Sequence, residues 1–416
     1  MLVRRRVTRC KPKVRILKVT QAYYPFEERG GPAVKIRSIA RLLTAHAHQV
    51  TVLTADLGFG PSEVASTAAH RNGNGWRANL DGVEAIYLTT KFHYRNLTVN
   101  PAVAEFCRQR LREFEIVHIY GLYDILGPTV ASYCRRFSIP YFVEPLGMTR
   151  PIDRGFLLKK FWWKLFRNYL PGAARVVTTS EMEKSELLAE GFAPERLLLR
   201  YNGIDREEFR HLPAPGTFRK KAGIGEDERY ILFLGRLIPR KGADLLIGAL
   251  SSITSNKMKL VLAGPEAEAG YVANLRSRAR QLGVENRVLF VGPLYGVDKK
   301  AALVDAWVFA LPSRYENFGN TAAEAIACNT PAIVSDRCGI APLLNQRAGL
   351  VTMYDSKALA RALTDLSENA ALYDRLKSGC SEVADQLSWE RLIVEMQASY
   401  QHAREHFLHR APVLAR

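Results

Sequence analysis

Residues 306–336 read AWVFALPSRYENFGNTAAEAIACNTPAIVSD. AWVFALP has the length and apolar character of a buried strand, TAAEAIAC opens a helix, and PAIVSD is a second short apolar run. A strand, a loop, a helix and a further strand make a βαβ unit, whose two strands run parallel. Two carboxylates bracket the turn. Glu316 stands where the strand gives way to the loop, and Glu324 lies inside the helix. A helix N-terminus ordinarily draws anions, so a pair of acids at this junction asks for a purpose.

The same alternation continues outward in both directions. The first half offers the strand candidates VRILKVT, HQVTVLTAD, GVEAIYLTT, EIVHIYG, PYFVEPLG, RVVTTS and RLLLRYNG. The second half offers YILFLGRL, KLVLAGP, RVLFVGP, WVFALPS, PAIVSD and AGLVTM. Strands alternating with helical stretches predict an α/β chain with parallel sheets covered on both faces. Two such series fit two Rossmann-like, doubly wound units, with the cleft between them as the first place to look for a ligand. The expected organisation is a basic tail over 1–13, an N-terminal unit over 14–205, a linker over 206–222, a C-terminal unit over 223–388 and a terminal helical segment over 389–416. The linker is placed by the prolines, Gly216 and lack of apolar periodicity in REEFRHLPAPGTFRKKAGI. The polar, Gly- and Asn-rich stretch 66–82 reads as a mobile surface loop.

The bulk numbers narrow the classes. A chain of 416 residues with 47% hydrophobic and 24% charged residues is an ordinary globular composition, and its length suits two domains. Six scattered cysteines without a C-x-x-C pattern fit a reducing compartment better than a disulfide framework or a zinc site. The net charge of +18 is uneven: residues 1–200 hold 31 Lys and Arg against 17 Asp and Glu, and the remainder 28 against 24. No apolar run is long enough to span a bilayer. A basic N-terminal half suits anionic lipid, nucleic acid or an anionic small substrate, and no nucleic-acid module accompanies the charge.

Several strand exits carry residues suited to a phosphorylated ligand. Arg236 and Lys241 lie five residues apart on a strand-to-helix loop, as a diphosphate site or as a plain solvated basic loop. VLFVGPLYG places Tyr295 at another exit, able to stack on a base or simply to sit on the surface. Gly319, Asn320 and Thr321 present backbone N–H groups at the next helix start. Gly30 and Gly31 lead into an amphipathic helix in the first half, giving a second glycine turn or merely a tight one. The sequence has no D-x-D, no metal-ligand spacing, no P-loop and no G-x-G-x-x-G. A departing diphosphate would therefore be met by cations and helix dipoles.

Taken in order, the glycine pair before a helix, NGID at 202–205, GRL with Lys241-Gly242, LAGP, VGPL, and Glu316 and Glu324 followed by TPAIVSD resemble the GT-B glycosyltransferases of family 4, of the exopolysaccharide or lipid-linked glycan type. The resemblance runs from about Val14 to Tyr400. It implies two Rossmann-like domains facing across a cleft, with a C-terminal helix crossing back to the N-domain. It also implies a retaining, metal-independent transfer of a hexose-type sugar from a nucleotide-diphospho-sugar to a glycan or polyprenyl-linked glycan, without a cofactor. By this resemblance Arg236 and Lys241 bind the diphosphate with the N–H groups at Gly31 and at Phe318, Gly319, Asn320 and Thr321. Glu324 takes the ribose and Glu316 the donor sugar near the reacting carbon, and the acceptor attacks on the leaving group's own face.

Two departures stand out. Many relatives have His-x-His after the fourth strand, where this chain has His118-Ile119-Tyr120. Leu146 also replaces the histidine of a Pro-His-Gly-Met segment. Either the second histidine's role is lost, or His118 or Tyr120 takes over part of it, and the competing reading makes the strand histidine structural. Segment 156–171, FLLKKFWWKLFRNYLP, is an amphipathic stretch that reads as a docking helix for an anionic membrane or as a helix packed on its own domain. The expected location is cytoplasmic, with the inner membrane face as an option. The competing functions are a nucleotide-sugar-binding protein without transfer activity, a nucleotide-sugar epimerase, and a basic nucleic-acid-binding protein.

Overall fold

The computed structural model describes residues 14–26, 31–94, 97–149 and 169–407. The basic tail, Gly30 and residues 156–168 of the amphipathic stretch lie outside the described residues. The chain divides into two compact units. The first takes residues up to Thr178, Glu186–Leu198 and the chain from Ile393 onward; the second takes Thr179–Ser185 and Leu199–Leu392.

The first unit is built on strands β1 (Arg15–Val19), β2 (Gln49–Ala55), β3 (His70–Arg71), β4 (Gly75–Leu80), β5 (Val83–Leu88), the short hairpin β6 (Phe92–Tyr94) and β7 (Leu97–Val99), β8 (Ile116–Tyr120), β9 (Tyr141–Glu144), β10 (Arg175–Thr178) and β11 (Leu197–Leu199). Its main sheet runs β11-β10-β9-β8-β1-β2-β5-β4-β3. β1 pairs in parallel with β2 on one side and β8 on the other, so the strand order reverses at its carboxyl end. β4 pairs with β5, and β3 with β4, in antiparallel fashion.

That antiparallel edge corrects one expectation. Residues 66–82 are not a loop but the end of helix Pro61–Thr67 and the hairpin β3–β4. Asn72-Gly73-Asn74 turns the chain, with Gly73 at φ +54°. The Arg71 guanidinium then lies 4.3 Å from the centre of the Trp76 ring, and Trp76 packs on Phe59. Trp76 thus anchors the hairpin on its apolar side, with Ala78 buried two residues on.

The second unit contains β12 (Arg229–Leu234), β13 (Met258–Ala263), β14 (Val288–Gly292), β15 (Val308–Leu311), β16 (Ala332–Ser335) and β17 (Gly349–Thr352). Their spatial order is β14-β13-β12-β15-β16-β17. Each neighbouring pair is parallel. Numbered within the unit this is 3-2-1-4-5-6, the doubly wound order with its switch point between β12 and β15. Helices cover both faces, so the central strands are apolar throughout: Tyr230–Phe233 and Val308–Leu311 are buried without alternation. Between the units' strands, the 206–222 stretch holds the short helix Thr217–Ala222, whose first N–H groups are accepted by the Asp305 carboxylate.

The last helix, Trp389–Phe407, joins the first unit from Ile393 onward. There Gln397 hydrogen-bonds the rings of His46 and His48 at 3.0 Å each, and Arg404 pairs with Glu115 at 3.2 Å.

Candidate active site

At the switch point of the second unit, the exits of β12 and β15 meet. The β12 exit is Gly235, exposed Arg236, and a single 3-10 turn over Pro239–Lys241. Gly242 follows at φ +74°, and a Cβ there would stand 2.1 Å from the Pro312 carbonyl oxygen on the β15 exit. Glycine is therefore the residue that lets helix Ala243–Ser251 start so close to the neighbouring strand. The two exits are also hydrogen-bonded, with Arg314 N–H donating to the Arg240 carbonyl at 2.8 Å.

The β15 exit is itself a fixed loop. Glu316 N–H donates to Arg337 O at 3.0 Å, and Glu316 O accepts from Gly339 N–H at 2.9 Å. Asn317 Nδ2 donates to Thr179 Oγ1 at 2.6 Å, and Asn202 Nδ2 to Asn320 Oδ1 at 2.9 Å. Phe318 buries its ring, 2% exposed, as the apolar pin of the loop. Gly319 sits at φ +110° as the N-cap of helix Asn320–Ala327. The first intrahelical acceptor, Gly319 O, is reached only by Ala322 and Ala323, so the N–H groups of Gly319, Asn320 and Thr321 form the donor end of the helix.

Opposite charges meet across these two exits. The Lys241 ammonium pairs with Glu316 Oε2, and both side chains keep solvent contact, 15% and 20% exposed. Glu324, one turn into the helix, pairs instead with Lys299 at 3.0 Å. Lys299 belongs to helix Gly296–Asp305, which follows β14. Burial pushes the Glu324 carboxyl above the usual carboxylate range, and the Lys299 ammonium pulls against that shift. Burial works against the charge of Lys299 as well, but Glu324 outweighs it and holds the amine above its ordinary range. Tyr295 caps the same helix with its ring 67% exposed. Arg236, Lys241, Glu316, Phe318, Gly319, Asn320, Thr321, Glu324 and Tyr295 thus all lie at strand exits of one sheet.

The first-unit candidates occupy a different setting. Gly31 opens helix Gly31–Ala45 after β1. His118 and Tyr120 are on β8, 0% and 1% exposed, with their rings stacked at 4.3 Å. His118 Nδ1 lies 2.5 Å from the Tyr400 hydroxyl of the last helix, and its Nε2 lies 3.7 Å from Glu144. The Tyr120 hydroxyl accepts from Lys18 Nζ at 2.7 Å. Glu144 also pairs with Lys35 of the Gly31 helix, and both are buried.

Lys299, Lys35 and Thr179 are among the participants that escaped sequence reading. Lys299 carries no motif, and its pairing depends on two helices packing together so that residues 25 positions apart meet. Lys35 looks like an ordinary helix lysine. Thr179 follows a strand as many threonines do. Asn202, by contrast, had its signal in NGID. Among the described residues no group of three His, Cys, Asp or Glu is placed to hold a metal ion.

Known proteins share the family and the fold of this chain. Residues 216–381 match the family model for group 1 glycosyl transferases, and residues 30–203 match that for a glycosyl transferase 4-like domain. An uncharacterised glycosyltransferase of Methanocaldococcus jannaschii is 28% identical over 402 residues, 92% of this chain and 97% of the relative. A D-inositol 3-phosphate glycosyltransferase of Nocardioides is 30% identical over 249 residues, a match spanning 56% of this chain and 54% of that protein. Among solved structures, sucrose-phosphate synthase of Thermosynechococcus elongatus superposes with TM-score 0.71 at 21% identity, covering 96% of this chain and all of that one. The Anabaena protein HepE in complex with UDP and glucose gives TM-score 0.71 at 19% identity over 94% of this chain and all of that one. Starch synthase IV of Arabidopsis thaliana, bound to ADP and acarbose, gives 0.72 at 13% identity over 95% of this chain and all of that one. The two family models together span most of the chain, and the solved neighbours share its two-sheet fold: the chain belongs to the group 1, family 4-like glycosyltransferases of the GT-B fold, enzymes that transfer sugar from a nucleotide sugar.

Proposed function

We propose that the chain is a retaining, metal-independent hexosyltransferase that uses a nucleotide-diphospho-hexose and a glycan or lipid-linked glycan acceptor. The observation that carries the donor half is the joined pair of strand exits at the β12/β15 switch point. It puts Lys241 against Glu316 beside the helix donors of Gly319–Thr321, with Arg236 on the same loop. Cations and N–H dipoles fixed before the reaction are what a departing diphosphate needs. In this reading the diphosphate takes Lys241 and Arg236, and Glu316 turns from the lysine to hydroxyls of the sugar. Glu324 accepts from ribose hydroxyls, and Tyr295 supplies a face for the base. Relatives whose names include UDP, UDP-glucose or ADP complexes support a uridine or adenine nucleotide as the carrier.

His118 and Tyr120 act from behind the surface in this proposal, orienting the β8 exit through Tyr400, Glu144 and Lys18. Transfer then rests on donor geometry and same-face attack, with the diphosphate assisting removal of the acceptor proton. Binding at an anionic membrane through residues 156–171, and a cytoplasmic site of action, belong to the same proposal.

The test is a panel of UDP-, GDP- and ADP-hexoses, scored by thermal shift, then by hydrolysis and transfer with and without EDTA. One donor should stabilise the protein, turn over unchanged in EDTA, and give a product whose anomeric configuration by NMR matches the donor's. Inversion of that configuration defeats the retaining assignment, and a panel without any binder defeats the donor site.

A further inference from the structure

As the ribose ligand, Glu324 would be a carboxylate only 24% open to solvent, and its fitness for that task depends on its neighbours. Its surroundings are explicit. Lys299 Nζ binds Oε1 at 3.0 Å. Oε2 is enclosed and has no hydrogen-bond partner among the described residues. The other charged and titratable groups facing the carboxyl are Glu208, from the turn that precedes the Thr217–Ala222 helix, Lys300, one residue beyond Lys299, and Cys328 at the C-cap of its own helix. Glu208 repels the carboxylate; Lys300 attracts it, but its ammonium is already bound to the Glu208 carbonyl. Lys299 is therefore the nearest compensating charge.

A half-enclosed carboxylate in such company takes up a proton readily. Once protonated it loses the acceptor strength that hydroxyl recognition requires, since hydrogen bonds to an ionised acceptor are about twice as strong as neutral ones. Lys299 opposes this by charge and by fixing one oxygen, which holds the carboxylate in one orientation while a quarter of the side chain stays open to a hydroxyl donor. The ammonium has further N–H donors beyond the one used on Oε1.

We propose that Lys299 is a positioning residue of the donor site: its ammonium, 3.0 Å from Glu324, holds the partly open carboxylate in place to accept from a ribose hydroxyl. This rests on the reading of Glu324 as the ribose ligand. It makes nucleotide recognition depend on a residue that touches neither phosphate nor sugar and that no sequence motif marks.

The test uses the full chain and the free nucleotides UDP, GDP and ADP, titrated calorimetrically, with the tightest binder carried from about pH 6 to about pH 8. Wild type supplies the reference at each pH, because the terminal phosphate of a free nucleoside diphosphate itself ionises in this range, and every variant is read as its ratio to wild type. Lys299→Met is expected to weaken binding about tenfold or more at the acid end, by loss of a charge-assisted hydrogen bond, and to recover as pH rises and Glu324 ionises unaided. Lys299→Arg should keep most of the affinity at every pH. The 2′- and 3′-deoxy forms of the same nucleotide should each be compared with the parent. At least one should bind more weakly to wild type, and that difference should shrink in Lys299→Met at the acid end. Lys299→Met binding within twofold of wild type at all pH values overturns the proposal, as does a loss of equal size at every pH that Lys299→Arg does not repair. If Glu324→Ala leaves affinity unchanged while wild type binds, the ribose assignment itself falls, and if no nucleotide binds wild type, the donor site falls with it.

Discussion

The two units share a sheet plan but use charge at their switch points in opposite ways. In the second unit the pairs Lys241–Glu316 and Lys299–Glu324 keep 15–24% of each side chain open to solvent. In the first unit Lys18, Lys35, His118 and Glu144 are at most 5% exposed and bond one another or neighbouring tyrosines. An accessible pair can exchange its partner for a ligand at small cost. A sealed network loses several kcal/mol if one member is removed, because the remaining charge has no water to turn to. The difference separates a binding surface from a structural lock, and the lock includes Tyr400 of the last helix.

The largest expected effect strikes the lock. Lys35→Met should destabilise the protein by about 3–5 kcal/mol in urea unfolding, since the buried Glu144 carboxylate loses its lysine partner. Lys35→Met with Glu144→Met should recover much of that loss, because a buried pair is often no better than an apolar one. A double variant as unstable as the single one breaks the comparison.

Next in size is the open pair. Arg236→Ala and Lys241→Ala should each lower transfer by about 10²–10³-fold while shifting the melting temperature little. Lys241→Ala that melts as early as Lys35→Met would make its pair structural too.

Asp124 tests burial without a cationic partner among the described residues. It is 4% exposed, accepts from Gly127 N–H at 2.8 Å at the start of helix Leu126–Phe137, and burial raises its pKa to about 6. An acid whose folded pKa exceeds its unfolded value binds the proton more tightly when native. Its stabilising effect is complete below the unfolded value, near 3.8, and is lost as pH rises through about 6. The loss amounts to about 3 kcal/mol at most, because a tenfold difference in proton affinity between folded and unfolded chains is worth about 1.4 kcal/mol. Asp124→Asn should flatten the stability profile between about pH 4 and pH 6. A profile that still falls over this window points to another group.

The smallest effect is expected from Tyr400→Phe, which removes the hydroxyl beside His118 Nδ1 and should cost about 1 kcal/mol. Because this hydroxyl fastens the last helix to β8, hydrogen exchange should rise in residues 393–407 more than in the sheet. Uniform exchange throughout would show that the helix does not depend on this bond.

Much of the fold was legible because parallel strands covered on both faces are written as short, continuous apolar runs. AWVFALP, YILFLGRL and VRILKVT became β15, β12 and β1. The hairpin at 70–80 was not read as such: Trp76, Ala78 and Leu80 do alternate as in a strand, but the Asn- and Gly-rich turn before them masks that short run, and Arg71 and Phe59 come to the tryptophan ring only in the folded chain. At the candidate site, Arg236, Lys241, Glu316 and Glu324 announced themselves by residue type and position after a strand. Lys299 did not, because a helix lysine has the same local signature whether it points to water or to a carboxylate.

By itself, then, the sequence determined the alternation of strand and helix, the parallel sheets and the ordered strand-exit motifs that place the chain in its family. These depend on local pattern: the period of apolar residues, a glycine where φ must be positive, a helix start after a strand. Tertiary structure alone decided which charges stay open and which are sealed, that Glu316 pairs with Lys241 while Glu324 pairs with Lys299, and that His118 faces Tyr400 from 282 residues away. Charge and burial are properties of a residue's spatial neighbours, and those neighbours come from distant segments whose meeting no local pattern encodes.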